Sequence, residues 1–188
     1  KVAEAVKNYC LIKNCKAVFI AGDVIYDRGV KNINDEQFTS KFEQVYEDID
    51  LPFYIAFGNH DYFGCITCYL RYTKQSNKWH MPSYYYAVNF DTISFFVINT
   101  ENFDNIQNEW LTQKLSNDKN TWNIVIGHRP VETTEEEHGG EQWSGIKEYK
   151  QTICQAAHYY ISGHAHILED VDRIDECKTI QLVSGGGG

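Results

Sequence analysis

Four times along this chain a short apolar run ends in glycine followed at once by Asp, Asn or His. Ala17-Val18-Phe19-Ile20-Ala21 closes on Gly22-Asp23, and Phe53-Tyr54-Ile55-Ala56-Phe57 closes on Gly58-Asn59-His60-Asp61. Trp122 to Ile126 closes on Gly127-His128, and Tyr159 to Ser162 on Gly163-His164-Ala165-His166. Continuous apolar runs of this length suit strands buried on both faces, with helices between them. Open α/β sheets place ligands outside the carboxyl ends of their strands. Glycine at an exit removes the Cβ that would hold the backbone away from a crowded site. The pattern predicts an α/β fold with a polar, metal-seeking cluster along one sheet edge.

The intervening text fits that frame. Val2, Ala3, Val6 and Tyr9 share one helical face, and this first helix is expected to end near Asn14. A second helix is expected after Asn34 or Asp35, with Phe38, Phe42, Val45, Tyr46 and Ile49 at spacings of three and four. Tyr84 to Val88 and Ser94 to Ile98 read as strands, and Ile106 to Leu115 as a helix turning Trp110 and Leu111 inward. Ile167 to Val171 and Thr179 to Ser184 read as a β-hairpin or a strand pair. With 188 residues and no internal repeat or linker, the reading is one domain over residues 1–188.

The cluster carries its own chemistry. Asp23 supplies a carboxylate able to bridge two hard cations, and Tyr26 can return its phenol to the same point. A phenol has a pKa near ~10, so it ligates at neutral or acid pH only against a strong Lewis acid, for which ferric iron is the obvious candidate. Asn59 offers a neutral carbonyl oxygen, and His60 a proton or a phosphate contact. His164 and His166, two apart, reach the same side of an extended segment. Each has an ordinary reading alone: Asp23 as a turn cap, Tyr26 as core, Asn59-His60 as a plain loop, His128 as a satisfied histidine. Their joint occurrence in this order is what argues for a metal site.

A net charge of −9 speaks against a nucleic-acid partner, because a polyanion needs a basic surface. A phosphate substrate remains compatible, since bound cations set the local field. No apolar run approaches the ~20 residues of a membrane span. Six cysteines (Cys10, Cys15, Cys65, Cys68, Cys154, Cys177) allow structural disulfides, inert thiols or, at Cys65-x-x-Cys68, a redox pair or half a zinc site. Their pairing is not readable from the sequence.

The order GDVIY, GNHD, GH, GHAH resembles the calcineurin-like metallophosphoesterase signature, and Tyr26 narrows the resemblance to the purple acid phosphatases. The stretches GVKNINDEQFTSKFEQVYED, GNHDYFG, NKWHMPSYYYAV and GHRPV are similar to the small, mammalian-type tartrate-resistant members. The resemblance implies two mixed β-sheets flanked by helices, with Asp23 as bridging carboxylate. It implies Tyr26 and His166 on ferric iron, and Asn59, His128 and His164 on a second ion, which is iron, zinc or manganese. His60 then contacts the phosphate, and His138, ten residues after His128 in EEEHGG, acts on substrate or leaving group. The implied reaction is hydrolysis of phosphate monoesters, of small molecules or phosphoproteins, by in-line attack of an activated water at acid pH. The implied location is secreted, lysosomal or vacuolar.

The family's first strand ends in an Asp within a GDWG-like motif, and no such motif precedes Asp23; SGGGG at the end resembles an SGAGG loop that further strands follow. The chain is therefore read as a fragment lacking its first and last strands. Two other readings stand beside the acid phosphatase. One is a protein phosphatase or phosphodiesterase: Asp27-Arg28-Gly29 is similar to the DRG of protein phosphatases but falls one residue late, and those enzymes have GNHE and an Asp in place of Tyr26. The other is an inactive scaffold or anchor of the same fold.

Overall fold

The computed structural model describes residues 1–135, 145–174 and 177–187. The fold is α/β. Three parallel strands, β1 (Val18–Ile20), β2 (Phe53–Ile55) and β3 (Trp79–His80), form a small sheet in that order. A mixed sheet of six runs β4-β5-β6-β7-β9-β8, from β4 (Tyr86–Phe90), β5 (Ile93–Val97), β6 (Trp122–Ile126), β7 (Tyr159–Ser162), β8 (Leu168–Asp170) and β9 (Ile180–Ser184). Its β5, β6, β7 and β9 are parallel, while β4 and β8 are antiparallel edges.

The two sheets face each other. Phe19 on β1 stacks on Phe95 of β5 with ring centroids 4.4 Å apart. Tyr86 on β4 accepts from Ile55 N at 2.8 Å and reaches Ile55 O at 2.9 Å, stitching the large sheet to the end of β2. The outer face of the small sheet is covered by α2 (Glu36–Phe38), the π-helical turn Thr39–Glu43 and α3 (Ile66–Tyr72). There Phe38 stacks on Tyr72 at 3.8 Å, and Phe38 and Phe42 meet the Trp79 ring edge-on at 5.4 and 4.8 Å. On the far side of the large sheet, α4 (Asn105–Asn117) and α5 (Ile146–Ala156) bury Leu111, Leu115, Tyr149 and Ile153 against Phe96, Val125 and Tyr160.

Several expectations change in detail. The first helix, α1 (Val2–Lys13), ends as expected at Asn14 in a left-handed cap (φ 54°), but none of its residues is buried and Tyr9 is exposed. The second helix starts at an Asp35 cap, whose carboxylate accepts from Gln37 N at 3.0 Å, then widens to a π turn after one turn. The segment as a whole still buries Phe38, Phe42 and Ile49, while Val45 stays exposed. The apolar runs alternate in burial rather than vanishing on both faces. Phe19, Tyr54 and Phe95 are only half-covered although Phe19 stacks on both of the others, and β1 is an edge of its own sheet. Trp110 lies half-buried against Tyr85 while Leu111 carries the core contact. The cysteines pair as Cys10–Cys15, Cys65–Cys68 and Cys154–Cys177, in line with the structural-disulfide reading.

Candidate metal centre

The carboxyl ends of β1, β2, β6 and β7 meet where the two sheets face each other. Asp23 sits just beyond β1 with its backbone in the left-handed region (φ 54°), which Asp tolerates better than most side chains. Its Oδ1 accepts from His60 N at 2.9 Å. Its Oδ2 accepts from the Tyr26 hydroxyl at 3.0 Å and lies 3.2 Å from His128 Nε2. Burial pulls the Asp23 carboxyl upward, but His128, the His60 N–H and the Tyr26 hydroxyl outweigh it and bring it to about 2.

His128, next beyond β6, turns Nδ1 to the Ala21 carbonyl at 2.7 Å, a bond that crosses from one sheet to the other. The acceptor fixes the proton on Nδ1 and aims Nε2 inward. Nε2 lies 2.9 Å from Asn59 Oδ1 and 3.2 Å from His164 Nδ1. Burial drives the His128 ring toward neutrality, but the Asp23 carboxylate overrides it and raises the pKa above the usual histidine value. One ligating atom from each of Asp23, His128 and His164 lies within 4.8 Å of the others. His164 also takes a left-handed backbone (φ 64°) to reach this point.

Tyr26 extends the cluster to the surface, its hydroxyl 3.3 Å from Nε2 of the exposed His166. Burial and the neighbouring Asp23 push the phenol well above its ordinary value, so without a cation it stays protonated and donates to Asp23. His60 covers the Tyr26 ring at 4.2 Å, with Nδ1 held 2.6 Å from the Asp27 carbonyl. Asp23, Tyr26, Asn59, His128, His164 and His166 thus form one contiguous group with His60 at its rim; His138 lies outside the described residues. Asp, Asn and His atoms converging on one buried point, with mainly acceptors facing each other, is a donor set suited to a cation. The approach needs glycine: a Cβ on Gly58 would stand 2.1 Å from Asp23 Oδ1.

Two residues were not singled out from the sequence. Asp61 is fully buried, and its Oδ2 accepts from both Asp23 N (3.0 Å) and Gly58 N (2.9 Å), tying two strand exits together. Its Oδ1 makes no hydrogen bond, although the equally unpaired Tyr69 hydroxyl is near enough to act on its charge. Burial raises its carboxyl to about 6 despite the Gly58 N–H. Arg129, next to His128, pairs with Glu101 and places Nη1 3.2 Å from His164 Nε2. Asp61 was visible as the last letter of GNHD, and Arg129 as the third of GHRPV.

The Asp61 shift has a measurable consequence. The folded metal-free protein keeps this proton up to about pH 6, whereas the unfolded chain loses it near 3.8, so stability falls as pH rises between the two. The expected loss is about 3 kcal/mol. Asp61→Asn keeps the acceptor for both N–H groups and removes the charge. Its urea unfolding in chelator is expected to lack the slope between pH 4 and 6; a slope that persists would assign it to another group.

Residues 1–168 match the family described as calcineurin-like phosphoesterase. The chain belongs to that family. Among curated members, it is 29% identical over 196 residues to human tartrate-resistant acid phosphatase type 5, an alignment covering 88% of this chain and 59% of that protein. It is 27% identical over 203 residues to purple acid phosphatase 3 of Arabidopsis thaliana, covering 91% of this chain and 53% of that one. This calcineurin-like chain therefore spans little more than half the length of these relatives. Among solved structures, GAP50, the anchor in the inner membrane complex of Plasmodium, superposes with a TM-score of 0.78 at 22% identity, over 99% of this chain and 66% of that one. The purple acid phosphatase PPD1 of yellow lupin gives 0.72 at 18% identity, over 100% of this chain and 39% of that one. These two likenesses establish the fold.

Proposed function

We propose that the chain hydrolyses phosphate monoesters at a centre holding ferric iron and a second divalent ion (iron, zinc or manganese), with Asp23 between the two. Tyr26 and His166 are assigned to the ferric ion, and Asn59, His128 and His164 to the second. The observation that supports this most is the convergence of Asp23 Oδ2, Asn59 Oδ1, His128 Nε2 and His164 Nδ1 about one buried point. When bound, such an ion pair activates water and offsets the charge of an in-line displacement at phosphorus.

The chain's own groups hold and orient. The Ala21 carbonyl fixes the His128 tautomer, and the His60 N–H orients the Asp23 carboxylate. His60, with Nδ1 on the Asp27 carbonyl, is left with Nε2 to carry a proton toward a phosphate oxygen, and His138 is assigned to the departing alcohol. The proposed optimum is at acid pH. Small phosphate esters and phosphoproteins both fit this chemistry. Three disulfides accord with an oxidising compartment, secreted or lysosomal/vacuolar. No helix among the described residues is long and apolar enough to cross a membrane.

The test is the visible spectrum of protein purified after iron supplementation. A broad band, giving a pink to purple solution, is expected from tyrosinate on ferric iron. Tyr26→Phe is expected to abolish the band with only partial loss of activity, and an unchanged band would remove Tyr26 from the centre. The likeness to GAP50 keeps a second reading, an anchor of the same fold without turnover; a colourless, metal-free protein would favour it.

A further inference from the structure

The helical face expected for Val2, Ala3, Val6 and Tyr9 divides in two in the folded chain. Ala3, Val6 and Cys10 turn inward and are half-buried, with Val6 packed against the core around the small sheet. Val2, Ala5, Tyr9 and Ile12, spaced by three, four and three, make a second apolar stripe on the outside of α1. All four are exposed, Val2 by 45%, Tyr9 by 61% and Ile12 by 78%. The helix is held with this stripe outward: Lys7 pairs with Asp48 at 2.8 Å, and the Cys10–Cys15 disulfide closes its last turn.

Positive charge gathers at the same place. Four of the chain's 17 basic residues, but only one of its 26 acidic residues, lie within residues 1–16, a basic segment in a chain of net charge −9. Lys7 is engaged by Asp48, whereas Lys1, Lys13 and Lys16 are exposed. At ~3.6 residues per turn, Lys1 and Lys13 fall on the two borders of the stripe. A second copy of this chain suits such a surface poorly. Four side chains are far short of the roughly 800 Å² a side of a specific interface, and pairing two copies of the helix sets lysine against lysine. Nucleic acid answers the lysines but leaves Tyr9 and Ile12 without a partner. A bilayer with anionic headgroups answers both, taking apolar side chains at the headgroup boundary and lysines at its charged surface.

We propose that α1 is a docking helix for an anionic lipid surface. It lies in the plane of that surface, with Val2, Ala5, Tyr9 and Ile12 inserted and Lys1, Lys13 and Lys16 against the headgroups. The rest of the chain is acidic and is repelled by the same surface, so the α1 side is the one that faces it. The docking helix is separate from the proposed metal centre and does not depend on turnover of phosphate.

The test is co-sedimentation of the protein with vesicles of phosphatidylcholine, either alone or with about one-third phosphatidylserine. Partitioning is expected to be ~10-fold or more stronger on the anionic vesicles, and to fall to the neutral-vesicle level in ~0.5 M salt. That lipid and salt dependence needs no variant. Two double variants at exposed positions, Tyr9→Ser with Ile12→Ser and Lys13→Glu with Lys16→Glu, are each expected to lose the preference, with an unchanged circular-dichroism melt as the check on folding. No preference of the wild type for anionic vesicles, or full binding retained by either folded variant, would overturn the proposal. A wild-type dimer in light scattering that Tyr9→Ser with Ile12→Ser dissolves would also overturn it, and would give the stripe to a second copy.

Discussion

Asp23→Asn is expected to reduce hydrolysis of p-nitrophenyl phosphate by at least ~10³-fold, about 4 kcal/mol of lost transition-state stabilisation. The substitution changes almost no volume, so a loss of that size reports charge. Asp23 is where the contacts of the site meet: Tyr26 donates to it, the His60 N–H orients it, and His128 lies 3.2 Å away in a pair nearly sealed from solvent. Its carboxyl is held at about 2, so it is an anion at every pH where the proposed hydrolysis would run. On the proposed two-ion reading, removing that anion would take a shared ligand from both ions. It also leaves the buried His128 without the charge that sustains its raised pKa. Metal content by emission spectrometry should fall together with turnover. A variant that keeps a tenth of wild-type activity and both ions would sink the assignment of Asp23 as the group between them.

Gly58→Ala is expected to destabilise the protein by about 3 kcal/mol and to disrupt the site without replacing any of its proposed ligands. The new methyl carbon would stand 2.1 Å from Asp23 Oδ1 and 2.5 Å from Asp23 N. The nitrogen is backbone, pinned to Asp61 Oδ2, and cannot swing aside as the end of a long side chain can. Gly22 shares the constraint from the other side. Its backbone is left-handed (φ +89°), and a Cβ there would meet the His128 ring at 2.5 Å and Gly58 Cα at 2.9 Å. The two strand exits approach so closely that neither can carry a side chain. Gly187→Ala, with nothing within 4 Å of its Cβ position, is the control and should leave the urea midpoint unchanged. A Gly58→Ala protein with wild-type midpoint and metal content would show that the approach is looser than these distances imply.

Much of this was legible in the residues. The spans of β6 and β7 coincide with the apolar runs Trp122 to Ile126 and Tyr159 to Ser162, because such a run followed by glycine has few other ways to bury itself. The second helix was readable as starting after Asn34 or Asp35, and Asp35 is the cap because its side chain satisfies an N–H two residues away. Helix α5 had a signal that was passed over: Ile146, Tyr149 and Ile153 recur at helical spacing and all turn toward the core. The two-residue β3 had none, since Trp79 and His80 become a strand only by pairing with β2. The exposed face of α1 shows the limit of periodicity, which reports that a helix is amphipathic and not what covers it.

By itself the sequence determined which side chains stand at the strand exits, because that depends on a local run, a glycine and the residue after it. It also determined the family, through motifs whose order and spacing survive without any contact being known. Only the tertiary structure decided how those exits meet. The Ala21 carbonyl that sets the His128 tautomer is 107 positions away in the chain, and Arg129 reaches His164 across 35. Asp61 becomes a buried tie with a carboxyl near 6 only once two loops close over it. Tautomer, burial and pKa are set by neighbours in space, and no local pattern in the chain records who those neighbours are.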